Sequence, residues 1–185
     1  MRRKNALVGV LLSLVSLASC VQATDYVGSG SGDLSESPVS FTRIGLCSSF
    51  YEECDNVNMM VISSAQHLPL YKIDDETELS AFKTKNSEEA GLNTSYSDES
   101  SFIEVVSKYG SPFFDHHDLM VVYLEATSGG NRYAIDNITV KDGVYLVSVA
   151  KTATGITTDM AGWLITIETD ESAISSCTFF DSILK

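Results

Sequence analysis

The chain has 185 residues, 44% of them apolar, and sets 25 Asp and Glu against 12 Lys and Arg for a formal charge of −13 at pH 7. Such a surface repels a phosphate backbone, which excludes nucleic acid as a partner. The length fits one domain once the N-terminus is set aside.

Arg2, Arg3 and Lys4 precede an apolar run from Ala6 to Leu17, and Ala18 and Ser19 lead into Cys20. This is the basic, apolar, small-residue order of a secretory signal, and roughly 12 apolar positions fall short of the ~20 that span a bilayer. Leu17-Ala18-Ser19-Cys20 resembles a bacterial lipobox. Residues 1–19 are therefore expected to be a lipoprotein signal peptide, with Cys20 lipid-modified and the exported chain anchored to the membrane through that lipid alone. Cleavage after Ala23, which gives a secreted chain, is the alternative. Residues 20–38 include Gly28-Ser29-Gly30-Ser31-Gly32 and read as a flexible tether. Residues 39–185 read as a single β-rich globular domain.

Val39, Phe41, Ile44 and Leu46 predict a first strand with an irregularity near Arg43. Asn58–Ser63 has the length and composition of a buried strand. Asp75–Phe82 predicts a short helix with acids in its first turn, where the helix dipole favours them; the alternative of a calcium loop over Asp74, Asp75, Glu76 and Glu78 lacks the closing Glu and turn Gly of an EF-hand. Phe102, Val105, Val106 and Tyr109 make one helical stripe. Ser97 or Asp98 is its expected cap, Gly110 its left-handed C-terminal residue and Pro112 its stop.

The last third predicts strands. Leu119–Ala126 is apolar on both faces, so it belongs in the middle of a sheet. Arg132–Val140 changes phase near Asn137, which predicts a bulge. Asp142-Gly143 is a tight-hairpin signal before a strand over Val144–Lys151. Trp163, Ile165 and Ile167 share one face of the next strand, and residues 178–184 close the domain. The fold class is α+β and β-rich: an antiparallel meander sheet, as a sandwich or open barrel, with one or two short helices. In a meander the loops 127–131 and 152–162 share one end of the sheet, and binding residues concentrate on such loops. The candidate binding residues are Ser128, Gly129, Gly130, Asn131, Arg132, Gly155, Asp159, Met160, Gly162 and Trp163, with Arg132 a contact for a carboxylate.

Cys47, Cys54 and Cys177 remain beyond Cys20. Cys47 and Cys54 can close a small disulfide loop in an oxidising compartment, and the spacing is not that of a zinc site. Asp115-His116-His117-Asp118 offers four ligand types in a row, but adjacent side chains diverge and no helix-spaced pair is present. No G-x-S-x-G elbow occurs. No metal, cofactor or catalytic residue is expected. The enzyme alternative is a hydrolase built on His116 with Asp115, Asp159 and Arg132, and a further alternative is a tethered small-ligand-binding protein.

The stretch Tyr109–Leu119, the strand Val121–Leu124, the turn Ser128-Gly129-Gly130 and the segment Asp159–Trp163 resemble a group of bacterial surface lipoproteins related to the C-terminal domain of PrcB-type subunits, which stabilise a surface protease complex. At 152–162 the chain departs from that pattern. The resemblance implies a β-rich domain without a catalytic site. With the tether, it leads to the expectation of a non-enzymatic surface lipoprotein, a protein-binding or protease-accessory module whose partner is an envelope or secreted protein such as a protease.

Overall fold

A computed structural model of the protein describes residues 32–34, 36–52, 54, 55, 65–96 and 99–185. The signal peptide, Cys20, the strand expected over 58–63 and the caps expected at Ser97 and Asp98 lie outside the described residues. In chain order these form β1 (Gly32–Asp33), β2 (Val39–Ile44), a 3-10 turn over Ser48–Tyr51, β3 (Gln66–His67), β4 (Leu70–Ile73), α1 (Glu76–Asn86), α2 (Phe102–Val106), α3 (Ser111–Phe114), β5 (His117–Ala126), β6 (Arg132–Lys141), β7 (Val144–Ala153), β8 (Ala161–Asp170), α4 (Glu171–Ile174) and β9 (Phe179–Leu184). Among them no helix is long and apolar enough to cross a membrane.

The strands make two sheets, in the orders β1-β6-β7-β9-β3 and β2-β8-β5-β4. All pairs are antiparallel except β7 with β9. The β-rich α+β class holds, in its two-sheet form. Within it the four long strands do not follow one another as a meander. β6 and β7 pair as a hairpin in one sheet, while β5 pairs with β8 in the other, so segments 127–131 and 154–160 each carry the chain from sheet to sheet.

Side-chain alternation explains why β5 is apolar throughout. Met120, Val122 and Leu124 point between the sheets, against Ile138, Val140, Tyr145, Val147, Trp163, Ile165 and Ile167. Leu119, Val121 and Tyr123 point the other way, into a second core with Phe50, Leu79, Phe82, Phe102 and Val106 from the helical segments. The four-stranded sheet is thus the middle of three layers, and a strand buried on both faces must be apolar on both. β8 repeats the pattern: Trp163, Ile165 and Ile167 face the other sheet, and Leu164 faces the helices.

Local chemistry sets the element ends. Asp75 accepts the amide of Glu78 at 2.7 Å and starts α1, with Glu76 and Glu78 in its first turn and Lys83 and Lys85 in its last. The acidic run is a helix start, and the helix continues past Phe82 to Asn86, whose amide caps back onto the Phe82 carbonyl at 2.8 Å. α2 is shorter than its apolar stripe, ending at Val106, and its cap is Ser101. The Ser101 hydroxyl accepts the Glu104 amide while Glu104 accepts the Ser101 amide, a reciprocal capping box. Gly110 has φ −118° and begins α3 instead of closing α2 left-handed, and Pro112 sits in the first turn of α3, where its missing N–H costs nothing. Ser101→Ala is expected to lower stability by about 1 kcal/mol in urea unfolding.

The hairpin reads as the sequence predicts, with Asp142 at φ 52° and Gly143 at φ 77°. β6 shifts register between Ile135 and Asn137, and again at Arg132/Tyr133. β2 pairs with β8 continuously from Val39 to Ile44, so no irregularity occurs at Arg43. Gly32 and Asp33 pair with Val140 and Thr139, which places a short strand inside the stretch read as tether.

Candidate functional site

The two sheet-to-sheet crossings meet at one end of the molecule, as expected of loops 127–131 and 152–162, and they are bonded to each other. The Gly129 amide donates to the Asp159 carbonyl at 2.8 Å. Ser128 Oγ lies 2.7 Å from Thr157 Oγ1 and accepts the Thr157 amide at 3.1 Å. Thr157 Oγ1 accepts the Gly130 amide at 2.9 Å, and Asn131 Oδ1 accepts the Gly155 amide at 3.2 Å. At the crossing point two glycines touch backbone to backbone: a Cβ on Gly155 would lie 2.1 Å from the Gly130 carbonyl carbon. Gly155 does not have a positive φ, so it is the contact that demands glycine here.

Arg43 reaches across from β2 and forms an ion pair with Asp159, and its guanidinium stands 5.0 Å from the centroid of the Tyr96 ring. The Thr157 hydroxyl, the loop backbone and Arg43 together hold the Asp159 carboxyl below the usual carboxylate range. Gly129 lies against this pair, where a Cβ would sit 2.5 Å from both charged groups. The loops are thereby locked as one body.

Several expected contact residues have structural duties. Trp163 is 4% exposed and belongs to the inter-sheet core, because its place on β8 alternates with Ile165 toward the other sheet. Arg132 donates to the carbonyls of Gly129 at 3.1 Å and Asn131 at 3.0 Å, and its guanidinium carbon lies 5.8 Å from the Trp163 ring centroid. It braces the turn while remaining exposed. Gly162 is buried where a Cβ would come 2.5 Å from the Gly45 carbonyl oxygen. The Cys47–Cys54 bridge is not formed: both thiols are free, and Cys47, buried, has its Sγ 2.9 Å from Ser49 Oγ.

Among exposed Thr154, Thr157, Thr158 and Asp159, the loops present two large apolar side chains. Ile156 is fully exposed and Met160 is 53% exposed. Leu46 follows Ile44, which lies opposite Gly162, and Tyr51 packs edge-on against Tyr123 at 5.8 Å. Both are therefore at this same end. Among the described residues the large exposed apolar side chains are Leu46, Tyr51, Ile156, Met160 and Phe179, and the first four lie toward this end. The sequence reading missed Ile156, Leu46, Tyr51 and Arg43 as site residues. Its one available signal was Thr154-Gly155-Ile156-Thr157, an apolar residue in a polar loop with no periodic neighbour to share a buried face.

The opposite end holds the other candidates. His117 pairs with Asp170 and Ala126 with Ala161 at the two ends of the β5–β8 ladder, about 30 Å apart for strands of that length. His116 is exposed at the far end and cannot meet Asp159 or Arg132. His117 stacks on Phe113 at 5.1 Å. Asp118 is buried 3.0 Å from Lys72, which also reaches Asp74 at 3.2 Å. Burial pushes the Asp118 carboxyl up against the opposing pull of Lys72. Among the described residues no three His, Cys, Asp or Glu are grouped to hold a metal ion.

Fold and site together define a two-sheet α+β domain whose crossing loops form a locked, apolar-tipped end. Comparison with protein-family models, with curated proteins and with solved structures finds no match.

Proposed function

We propose that this chain is a non-enzymatic surface lipoprotein, anchored through Cys20, that binds another protein by its loop end. The observation that carries this reading is the fully exposed Ile156 on loops held rigid by their own cross-bonds. An exposed aliphatic side chain gains by burial against a partner, on the order of 2 kcal/mol, and a pre-ordered loop loses little entropy when it binds. Tyr51, Met160 and Leu46 extend the contact around it. The acidic surface keeps the remainder soluble and well separated from the anionic membrane.

Affinity purification after crosslinking on intact cells tests both halves. Wild type is expected to bring down a reproducible partner from the membrane fraction. The doubly substituted Ile156→Asp, Met160→Asp protein is expected to lose at least about 10-fold of that recovery while keeping its far-UV spectrum, which is hot-spot behaviour. Cys20→Ser is expected to move the protein out of the membrane fraction and abolish labelling by a fatty-acid analogue. Equal partner recovery by the double variant overturns the loop end as the binding surface.

A further inference from the structure

We propose that segment 154–158 is an inhibitory loop that enters the cleft of a serine or cysteine endopeptidase, with Ile156 filling an apolar primary pocket. The inference rests on the protein-binding reading of the loop end and names the class of partner. Three observations carry it. First, Ile156 stands clear of the body, fully exposed, so its whole side chain is free to enter a pocket. Second, its two neighbours are tied by their amides, Gly155 to Asn131 Oδ1 and Thr157 to Ser128 Oγ. Among the described residues nothing hydrogen-bonds to Ile156 itself. A cleft that performs acyl transfer takes the residue before the scissile bond by its side chain and by its carbonyl, which must reach the oxyanion donors. That residue's polar backbone groups have to be unoccupied, and here they are.

Third, the same ties resist completion of the cut. Hydrolysis of the Ile156–Thr157 bond adds one water, leaving a carboxylate on Ile156 and an amine on Thr157. The amine-bearing end remains anchored through Thr157 Oγ1 to Ser128 and Gly130, and the acyl-bearing end through Gly155 to Asn131. The Gly130–Gly155 contact keeps both ends in register. While the acyl group is still on the enzyme nucleophile, the held amine attacks it and re-forms the bond in competition with water, by proximity. A flexible loop carrying the same residues is a substrate; a locked one is an inhibitor.

The test uses the full chain, extracted in detergent, with pancreatic elastase and subtilisin as probes with apolar primary pockets and trypsin as a probe with an acidic one. Reversible inhibition of elastase or subtilisin is expected, with trypsin unaffected. Ile156→Asp is expected to weaken it by about 100-fold, as for a hot-spot residue. Ile156→Lys is expected to transfer inhibition to trypsin, a gain that misfolding cannot produce. Rapid cutting within 154–158 without inhibition overturns the proposal, as does failure of both the wild type on elastase and subtilisin and the Lys variant on trypsin. If crosslinking on cells then yields a partner that is not a peptidase and is lost with Ile156→Asp, the docking surface stands and only the inhibitory role falls.

Discussion

Raising the pH from about 9 to 12 is expected to unfold the domain in one cooperative step that exposes its tyrosines together. Tyr109, Tyr123 and Tyr145 are buried, and their phenols are held above the ordinary value of 10.0 chiefly because burial disfavours the phenolate; the half-exposed Tyr51 shifts the same way through its covered side. The Glu168 carboxylate adds to this at Tyr109, which is pushed up to about 12, and Glu125 adds to it at Tyr51 and Tyr123. A raised phenol means that the folded state keeps a proton which the unfolded chain releases. Its contribution to stability is complete below pH 10 and is lost as pH rises through the folded value. For Tyr109 alone the interval from 10.0 to about 12 corresponds to roughly 3 kcal/mol. The other three act in the same direction, as does Lys72. Burial works to lower the Lys72 amine, but its bonds to Asp118 and Asp74 prevail and raise it, so its stabilisation too is lost above its ordinary range. Tyrosinate absorbance and far-UV ellipticity recorded on the same titration decide the matter. Coincident steep transitions above pH 10 are expected; independent titration of all eight tyrosines near 10 with the fold intact contradicts the burial argument.

The second large effect is mechanical. Gly155→Val is expected to cost about 3 kcal/mol, the upper end of what overpacking does. Backbone atoms of Gly130 lie 2.1 to 2.3 Å from where the new Cβ would stand, and backbone cannot turn aside as a side-chain tip can. The crossings must separate, which breaks the ties of Gly130 to Thr157 and of Gly155 to Asn131. Urea unfolding reads the stability, and amide exchange at Gly129 and Gly130 should accelerate with it. Thr154→Val, one position away and exposed, is the control and is expected to leave both unchanged. A Gly155 variant as stable as wild type would show that the contact is not needed.

Periodic features were the most legible. The two-faced apolarity of β5, the Asp142-Gly143 turn and the bulge near Asn137 all follow from patterns within a few residues, whereas the shared end of the two loops, expected from a meander, arises from the two crossings between sheets. Pairing between distant strands was not legible that way. A strand that reads well in isolation says nothing of its neighbour, so the exchange between sheets at 127–131 and 154–160 was hidden. The helix at 102–109 was over-read because Val105, Val106 and Tyr109 keep a helical spacing, although the chain leaves the helix at Ser107 and delivers Tyr109 to the core from a turn. The glycines of the loop end are needed for absence of bulk, a demand set by distant neighbours that no local pattern shows. Ile156 escaped notice for a general reason: apolar residues are read as core, and a functional one is visible only as an exception once exposure is known.

β9 has a consequence for the order in which the molecule can be made. It lies inside its sheet, between β7 and β3, pairing in parallel with one and antiparallel with the other. Both neighbours leave the ribosome before it does. Until Phe179–Leu184 arrives, β7 offers an open row of amides and carbonyls, and the inter-sheet core lacks the Phe180 and Leu184 side chains that pack against it. A nascent or prematurely terminated chain therefore displays a sticky, template-like edge of the kind that invites aggregation and draws proteases. Once β9 is in place that edge is covered, so the same six residues that complete the pairing of β7 also remove the template it would otherwise offer.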